Sequence, residues 1–197
     1  VVYFLTPPLL LLGLPKWFFG TFINHRFWKV LTNPFLSLVL FNVSLSLYHL
    51  PGVFDYFMLH YWLHISFQAM LFIGSLFMWW NIVSPFPDYS KHAELKKVAF
   101  IFASGALLLP ACALVIFADH PVYRTYTDPA TWATVLGFCL PAGHPVSPEL
   151  FKTFALFTPL EDQQLGGAIM KLTQELVFVG FLIYVFYQWV QREKKVA

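Results

Sequence analysis

Three histidines and one methionine lie close together in the first third of the sequence, at His49, Met58, His60 and His64. His60, His64 and Gln68 follow one another at spacings of four, which places them on one face of a helix. Imidazole nitrogen binds copper, zinc, iron or nickel, and a thioether shifts the preference toward Cu(I). The pattern therefore predicts a metal site with His49, Met58, His60 and His64 as ligands and copper as the metal. The alternative is that each imidazole only forms a hydrogen bond inside the protein or lies at its surface.

A few other side chains could take part in chemistry. Lys171 and Glu175 are four residues apart and can form an ion pair on one helix face, which either locks the helix or provides a proton path. Cys112 and Cys139 are candidates for Cu(I) binding or for plain small apolar residues. The sequence contains no phosphate-binding Gly-rich loop, no nucleophile elbow and no zinc-protease motif. We therefore do not expect an enzyme.

The composition indicates that the elements holding these residues lie in lipid. Of the 197 residues, 58% are hydrophobic and 11% are charged, whereas a typical soluble domain has about 25% charged residues. This composition excludes an intrinsically disordered chain and argues against a soluble domain. The net charge of +2 gives no reason to expect a nucleic-acid partner. We expect an all-α, polytopic transmembrane helix bundle that forms a single domain over residues 1–197, with membrane lipid around it.

Four long apolar segments predict full transmembrane spans, since a span needs about 20 mostly apolar residues. They are residues 34–50, a stretch within 58–83, residues 98–118 with a kink at Pro110, and residues 167–190. A short amphipathic helix is expected over residues 53–57, ahead of the second span. Residues 1–14 are apolar but too short to span, so they predict a partial span whose start belongs to a missing N-terminal part of the natural protein.

Basic residues predict the orientation of these spans, because Lys and Arg accumulate on the cytoplasmic side. Alternating the spans puts nine of the twelve basic residues on one side. The C-terminus is therefore expected in the cytoplasm and the loop of residues 119–166 outside. His49 then lies at the outer end of the first span, and His60 and His64 lie in the outer turns of the second. Because the link between these spans is short, we expect the three imidazoles to converge near the outer surface.

The long outer loop contains an apolar stretch at residues 130–140 that is too short to span. It either lies on or dips into the membrane interface, or it forms an apolar clasp over the end of the bundle. Tyr123, Tyr126 and Trp132 fit the aromatic belt that marks a membrane interface.

Four short strings of the sequence occur in a specific order. They are residues 7–15 (PPLLLLGLP), residues 48–51 (YHLP), residues 77–80 (FMWW) followed by Pro85, and residues 162–170 (DQQLGGAIM). Together they resemble the CtaG family, the polytopic membrane assembly factors of bacterial caa3-type cytochrome c oxidase, and the resemblance covers essentially the whole chain. It implies a multi-pass protein of the bacterial plasma membrane that helps mature the oxidase, at its copper-containing catalytic subunit. It also implies further ligands in a His- and Met-containing string ahead of residue 7, so that the ligand set given above is incomplete.

The string at residues 162–170 supplies Asp162, Gln163, Gln164, Gly166 and Gly167 as candidate functional residues. Asp162 is expected either to orient a histidine ligand by accepting its hydrogen bond or to cap the helix of the fourth span. The two glycines allow either close helix packing or a helix start.

Several functions remain open at this level. The first is an assembly factor that holds copper at the outer face and delivers it to the oxidase subunit as a chaperone. The others are a copper or cation transporter, a haem- or quinone-binding redox protein, and a scaffold without metal. A homo-oligomer is also possible in each case.

Overall fold

The computed structural model describes residues 2–15, 26–83, 94–138, 140 and 156–196. All regular structure in these stretches is helical, so the predicted all-α class is confirmed. In chain order the helices are α1 (Val2–Gly13), α2 (Arg26–Leu31), α3 (Pro34–Tyr48), α4 (Pro51–Leu59), α5 (Tyr61–Val83), α6 (Glu94–Ile116), a one-turn 3-10 helix (Arg124–Tyr126), α7 (Pro129–Gly137) and α8 (Pro159–Val196). Cys139, and much of the expected outer loop beyond it, lies outside the described residues.

Three helices are long and apolar enough to cross a membrane: α5, α6 and the Pro159–Gln191 part of α8. The expected first span is different. α3 has 15 residues, which at 1.5 Å each gives a helix of about 22 Å, shorter than the hydrocarbon core of about 30 Å. α3 and α4 pass the test for a span only as a pair, and they are bent by 81° at the break between them. The described residues therefore provide three spans, or four if the bent pair counts as one.

Proline and capping residues set the bounds of the bent pair. The side-chain oxygen of Asn33 accepts hydrogen bonds from the backbone N–H of Phe35 and Leu36, at 3.0 and 3.2 Å, and Pro34 takes the first helical position. α3 ends at Tyr48, and Pro51 begins α4, because proline has no N–H and fits a helix start. α4 includes the amphipathic segment expected at residues 53–57. The turn at residues 49–50 directs α4 across the end of the bundle.

α8 begins eight residues before the apolar run that predicted the fourth span. Thr158 and Glu161 form a capping box: the backbone N–H of Thr158 donates to the Glu161 carboxylate at 2.9 Å, and the N–H of Glu161 donates to the Thr158 hydroxyl at 3.3 Å. Asp162 therefore lies in the first turn of α8 and is not its cap. Gly166 and Gly167 lie inside the helix, so the expectation of a helix start at these glycines was wrong.

The core forms where α1 meets α5 and α8, α3 meets α5 and α6, and α6 meets α8. Phe41, Met78 and Trp79 are fully buried there. Phe4 of α1 packs edge-on against Phe41 and Phe178, with ring centroids 6.1 and 5.8 Å apart. The short helix α1 therefore belongs to the bundle core.

Polar side chains within the bundle pair with one another across helices. The Asn42 amide donates to the Ser104 hydroxyl at 3.2 Å and joins α3 to α6. The Asn81 amide donates to the Ser37 hydroxyl at 2.9 Å and joins α5 to α3. Interhelical hydrogen bonds of this kind support helix association in membranes. They orient α3 against its neighbours and so position its last turn, which His49 follows.

The end of the bundle is covered by α4, the 3-10 helix and α7, which pack on one another and which we call the cap. The Asp55 carboxylate on α4 accepts hydrogen bonds from the backbone N–H of Arg124 and Thr125, each at 3.0 Å, and from the Thr125 hydroxyl at 2.7 Å. Residues 130–137 belong to the helix α7, which packs on α4 and on the 3-10 helix. Tyr123 and Tyr126 pack on Phe54 of α4, with ring centroids at 4.4 and 6.0 Å.

Candidate functional site

Beneath the cap, three polar or sulfur-containing side chains meet around one phenol. We call Tyr48, Met58, His64 and Gln68 the Tyr48 cluster. The Tyr48 hydroxyl lies 3.1 Å from His64 Nδ1, 3.2 Å from the Gln68 amide nitrogen and 3.8 Å from the Met58 sulfur. Tyr48 is buried, and its ring stacks on Phe67 at a centroid distance of 5.5 Å. The spacing of four between His64 and Gln68 therefore brings both to the same partner, a tyrosine that sequence reasoning passed over.

One arrangement of protons satisfies the whole Tyr48 cluster. Gln68 can only donate through its amide nitrogen, and the phenol oxygen has lone pairs for two donors. If His64 also donates from Nδ1, the hydroxyl proton is free to point at the Met58 sulfur, which is a weak acceptor. In this arrangement Nε2 of His64 keeps its lone pair, and it is through this atom that the ring could bind a metal ion.

His49 and His60 each have one ring nitrogen held by the backbone. His49 Nδ1 lies 2.7 Å from the Leu45 carbonyl oxygen, and His60 Nδ1 lies 2.8 Å from the Tyr56 carbonyl oxygen. A carbonyl only accepts, so Nδ1 carries the proton in both rings and Nε2 of the neutral ring has the lone pair. The His49 backbone is fixed as well, because the Tyr123 hydroxyl donates to its carbonyl oxygen at 2.8 Å.

The expected convergence of the three imidazoles is not found. Within the described ranges, no group of three or more His, Cys, Asp or Glu side chains lies together so that it could hold a metal ion. His64 joins Met58 in the Tyr48 cluster, and His49 lines a separate cavity. His60 is exposed, and its ring packs on Tyr56. The physical reason is the 81° bend after α3, which inserts α4 between His49 and the start of α5.

His49 lines a cavity of about 300 Å³ between the end of α3, the end of α6 and the first three turns of α8, which we call the His49 cavity. Two further side chains with metal-binding atoms line it, Asp162 and Met170. Asp162, Gly166 and Met170 follow at spacings of four on α8, so they share one helix face. Sequence reasoning did not propose Met170 as a ligand. The spacing of four from Asp162 was the available signal, but only the fold places His49 opposite.

Two tyrosines complete the polar lining of the His49 cavity. Burial, followed by the negative charges of Asp162 and Asp55, raises the pKa of Tyr126. Burial also raises the pKa of Tyr123 well above its ordinary value. Both phenols therefore stay protonated at neutral pH and act as hydrogen-bond donors there. Among the side chains lining the cavity, the imidazole, the thioether and the carboxylate are the groups that could bind a metal ion.

The two glutamines next to Asp162 hold the surrounding backbone. The Gln163 side chain accepts from the N–H of Val122 at 2.8 Å and donates to the carbonyl oxygen of Val115 at 3.2 Å. The Gln164 amide donates to the Ala118 carbonyl oxygen at 3.1 Å. These bonds satisfy carbonyl groups at and just beyond the C-terminal end of α6, which a helix leaves unpaired. They therefore fix the segment that carries Tyr123 over the cavity.

The two glycines have different surroundings. A Cβ atom at Gly167 would lie 2.9 Å from side-chain carbons of both Val115 and Ile116, whereas one at Gly166 would meet nothing within 4 Å. Gly167 is thus the point where α8 touches the end of α6. Both glycines also line the cavity. The alternative of close packing therefore holds for Gly167.

Farther along α8, Lys171 and Glu175 form an ion pair one helical turn apart. Both side chains line a second cavity of about 310 Å³ between α6 and α8. Cys112 of α6 is buried and free of a disulfide.

The chain was compared with known proteins. A family model described as cytochrome c oxidase caa3 assembly factor (Caa3_CtaG) matches residues 1–192 of the 197. This match confirms the resemblance drawn from the four sequence strings. A search of curated proteins and a search of solved structures each gave no match.

Proposed function

Because the chain belongs to the family of caa3 cytochrome c oxidase assembly factors, we propose that it matures the oxidase by holding copper as cargo in the His49 cavity. It then delivers the metal to the copper-containing catalytic subunit. The observation that carries this proposal is that His49, Met170 and Asp162 line one cavity at an end of the bundle. The role is that of a non-enzymatic chaperone.

The donor set suits reduced copper. His49 presents Nε2, because its Nδ1 is committed to the Leu45 carbonyl oxygen. Met170 adds a soft thioether, and one imidazole with one thioether favours Cu(I) over zinc or the hard divalent cations. Asp162 is exposed while His49 and Met170 are half-buried. A carboxylate at the rim with softer ligands below it would attract a cation to the cavity and still leave the metal reachable by a partner.

The Tyr48 cluster provides a second pair of copper ligands in this proposal. Met58 and His64 both contact the Tyr48 hydroxyl, and Tyr48 directly precedes His49 in the chain. Copper held by this pair would have to displace the hydrogen bond at Met58. His60 is exposed and lies apart from both groups, so the proposal no longer counts it as a ligand and uses it as a control position.

We place the His49 cavity at the outer face of a bacterial plasma membrane, with the C-terminus in the cytoplasm. The support is the distribution of Lys and Arg between the two sides of the spans. The cap and its neighbouring loop then face the compartment from which the oxidase subunit would receive its copper.

The experiment measures copper in protein purified under reducing conditions, together with oxidase activity in a deletion strain carrying each variant. His49→Ala and Met170→Leu should lower the amount of bound copper and abolish oxidase activity together, whereas His60→Ala should change neither. If the wild-type protein holds no copper but still restores the oxidase, the protein acts as a scaffold and the cargo proposal is wrong. If the deletion strain keeps full oxidase activity, the assembly role in this organism is wrong as well.

A further inference from the structure

A small cavity at the end of the bundle opposite the His49 cavity is lined by two neighbouring lysines. Its volume is about 170 Å³. The described residues that line it come from three helices: Pro34 of α3, Asn81 of α5, and Lys96, Lys97 and Phe100 of α6. One water molecule takes about 30 Å³, so the cavity has room for a phosphate group. We call this feature the lysine cavity.

The lysine cavity lies where the apolar spans meet the aqueous phase. Pro34 is the first residue of α3, and Asn81 lies two positions before the end of α5. Lys96 is the third residue of α6. Two spans and one further helix therefore begin or end at this level. The headgroups of lipids occupy the layer directly outside the hydrocarbon core, so the cavity lies at the depth of the lipid phosphates.

The charges around the lysine cavity favour an anion. The first turn of α6 carries Lys96 and Lys97 next to the carboxylate of Glu94. The short helix α2 brings two more basic residues to the same end of the bundle, where its Trp28 packs edge-on against Trp80 of α5 at a centroid distance of 5.4 Å. Lysines in the first turn of a helix are disfavoured by the helix dipole. An anion bound between them offsets this cost.

The two lysines provide the hydrogen-bond donors of the cavity. Lys97 is only 8% exposed, whereas Lys96 is exposed. An ammonium group has three donors, so Lys97 can bind an anion in addition to a partner within the protein. Both amide protons of Asn81 are used, by the Ser37 hydroxyl at 2.9 Å and the Phe77 carbonyl oxygen at 3.0 Å. Among the described side chains that line the cavity, the lysines are therefore the groups able to donate to an anion.

We propose that the lysine cavity binds the phosphate group of an anionic phospholipid from the surrounding membrane, with Lys96 and Lys97 as its ligands. Basic pockets between transmembrane helices are a known form of site for anionic headgroups. Phe35, next to Pro34 in the chain, is 75% exposed, and Leu95, next to Lys96, is 69% exposed. These apolar surfaces suit the acyl chains of a lipid, whereas free phosphate gains nothing from them. Lipid binding here depends neither on copper nor on the oxidase.

Native mass spectrometry tests the proposal on protein released from mixed micelles that contain equal amounts of phosphatidylglycerol and phosphatidylcholine. We expect the wild-type chain to retain one phosphatidylglycerol in preference to phosphatidylcholine. Lys96→Gln should weaken this retention about fivefold, and Lys96→Arg should preserve it. Because Lys96 is exposed, neither substitution disturbs the core.

Lys194→Gln is the matched control. Lys194 is exposed and lies near the C-terminal end of α8, at the same end of the bundle as the start of α6, because Gly167 near the start of α8 touches the end of α6. It does not line the lysine cavity, so its substitution should leave the retained lipid unchanged.

Four results would overturn the lipid site. They are retention without preference for phosphatidylglycerol, wild-type retention in Lys96→Gln, an equal loss in Lys194→Gln, and displacement of the lipid by an equimolar amount of inorganic phosphate. The third result would indicate diffuse surface charge, and the fourth a site for a free anion. None of these measurements reads copper content or oxidase activity, so their failure is distinct from failure of the proposed function.

Discussion

Replacing Gly167 by alanine adds a methyl group where α8 touches the end of α6. The new Cβ would lie 2.9 Å from Val115 Cγ1 and 2.9 Å from Ile116 Cγ1. Favourable carbon contacts lie at about 3.5–4.0 Å, so one helix must move. Val115 and Ile116 are β-branched and hold nearly one rotamer in a helix, which leaves them little freedom to turn away. We therefore expect α6 and α8 to separate at this level.

Two opposing terms set the size of the effect. Overpacking a well-packed contact costs about 1–3 kcal/mol. Alanine is favoured over glycine inside a helix by about 1 kcal/mol, which acts in the other direction. Gly166→Ala has the same gain in helix preference and no clash, because its Cβ would meet nothing within 4 Å. The difference in unfolding free energy between the two variants therefore isolates the clash at about 1–3 kcal/mol.

The assay is unfolding in mixed detergent followed by tryptophan fluorescence. Trp79 is a suitable reporter, because its ring packs on Phe181 of α8 at a centroid distance of 4.7 Å. We expect Gly167→Ala to unfold at a lower denaturant fraction than Gly166→Ala. Equal midpoints for the two variants would refute the claim that Gly167 is there to let α8 approach α6.

Three further predictions follow from single contacts. Gln163→Leu leaves the partly buried N–H of Val122 and the buried carbonyl group of Val115 unpaired, so unfolding titrations should show a loss of about 1–3 kcal/mol; an unchanged midpoint would contradict the claim that Gln163 holds this backbone. Tyr48→Phe removes the hydroxyl that contacts the Met58 sulfur and so ties α4 to the bundle, so amide hydrogen exchange in residues 51–59 should accelerate, and exchange at the wild-type rate would contradict this. The pKa of Asp128 is lowered by the hydroxyl and backbone N–H of the first turn of α7, so its capping is present above the unfolded pKa of about 3.9 and is lost as the pH falls through the lower folded value. A fluorine NMR signal from fluorotryptophan at Trp132 should therefore shift only below about pH 4, and Asp128→Ala should remove the shift; a shift that persists in the variant would contradict the assignment.

Much of the scaffold could be predicted from residue patterns. Hydrophobic length identified α5, α6 and the apolar part of α8, because burial in lipid is a property of single segments. Pro34 and Pro51 marked helix starts because proline acts locally. The spacing of four between Lys171 and Glu175 indicated their ion pair for the same local reason.

The predictions that were wrong or missing concern contacts between segments that are distant in the sequence. The convergence of three imidazoles assumed a straight hairpin, whereas the chain bends by 81° after α3. The start of α8 was placed at the first apolar residue, although the capping box at Thr158 and Glu161 precedes it and was readable. Met170 could not be assigned to His49 from sequence, because 121 positions separate them in the chain and only the packing of α3 on its neighbours brings both to one cavity.

The most direct test of copper binding in the His49 cavity is X-ray absorption at the copper edge of protein loaded with Cu(I). The account predicts nitrogen scattering from imidazole together with sulfur scattering from a thioether. The sulfur signal should weaken in Met170→Leu, and the imidazole signal should weaken in His49→Ala. A spectrum without sulfur, or one that neither substitution changes, would contradict the central claim.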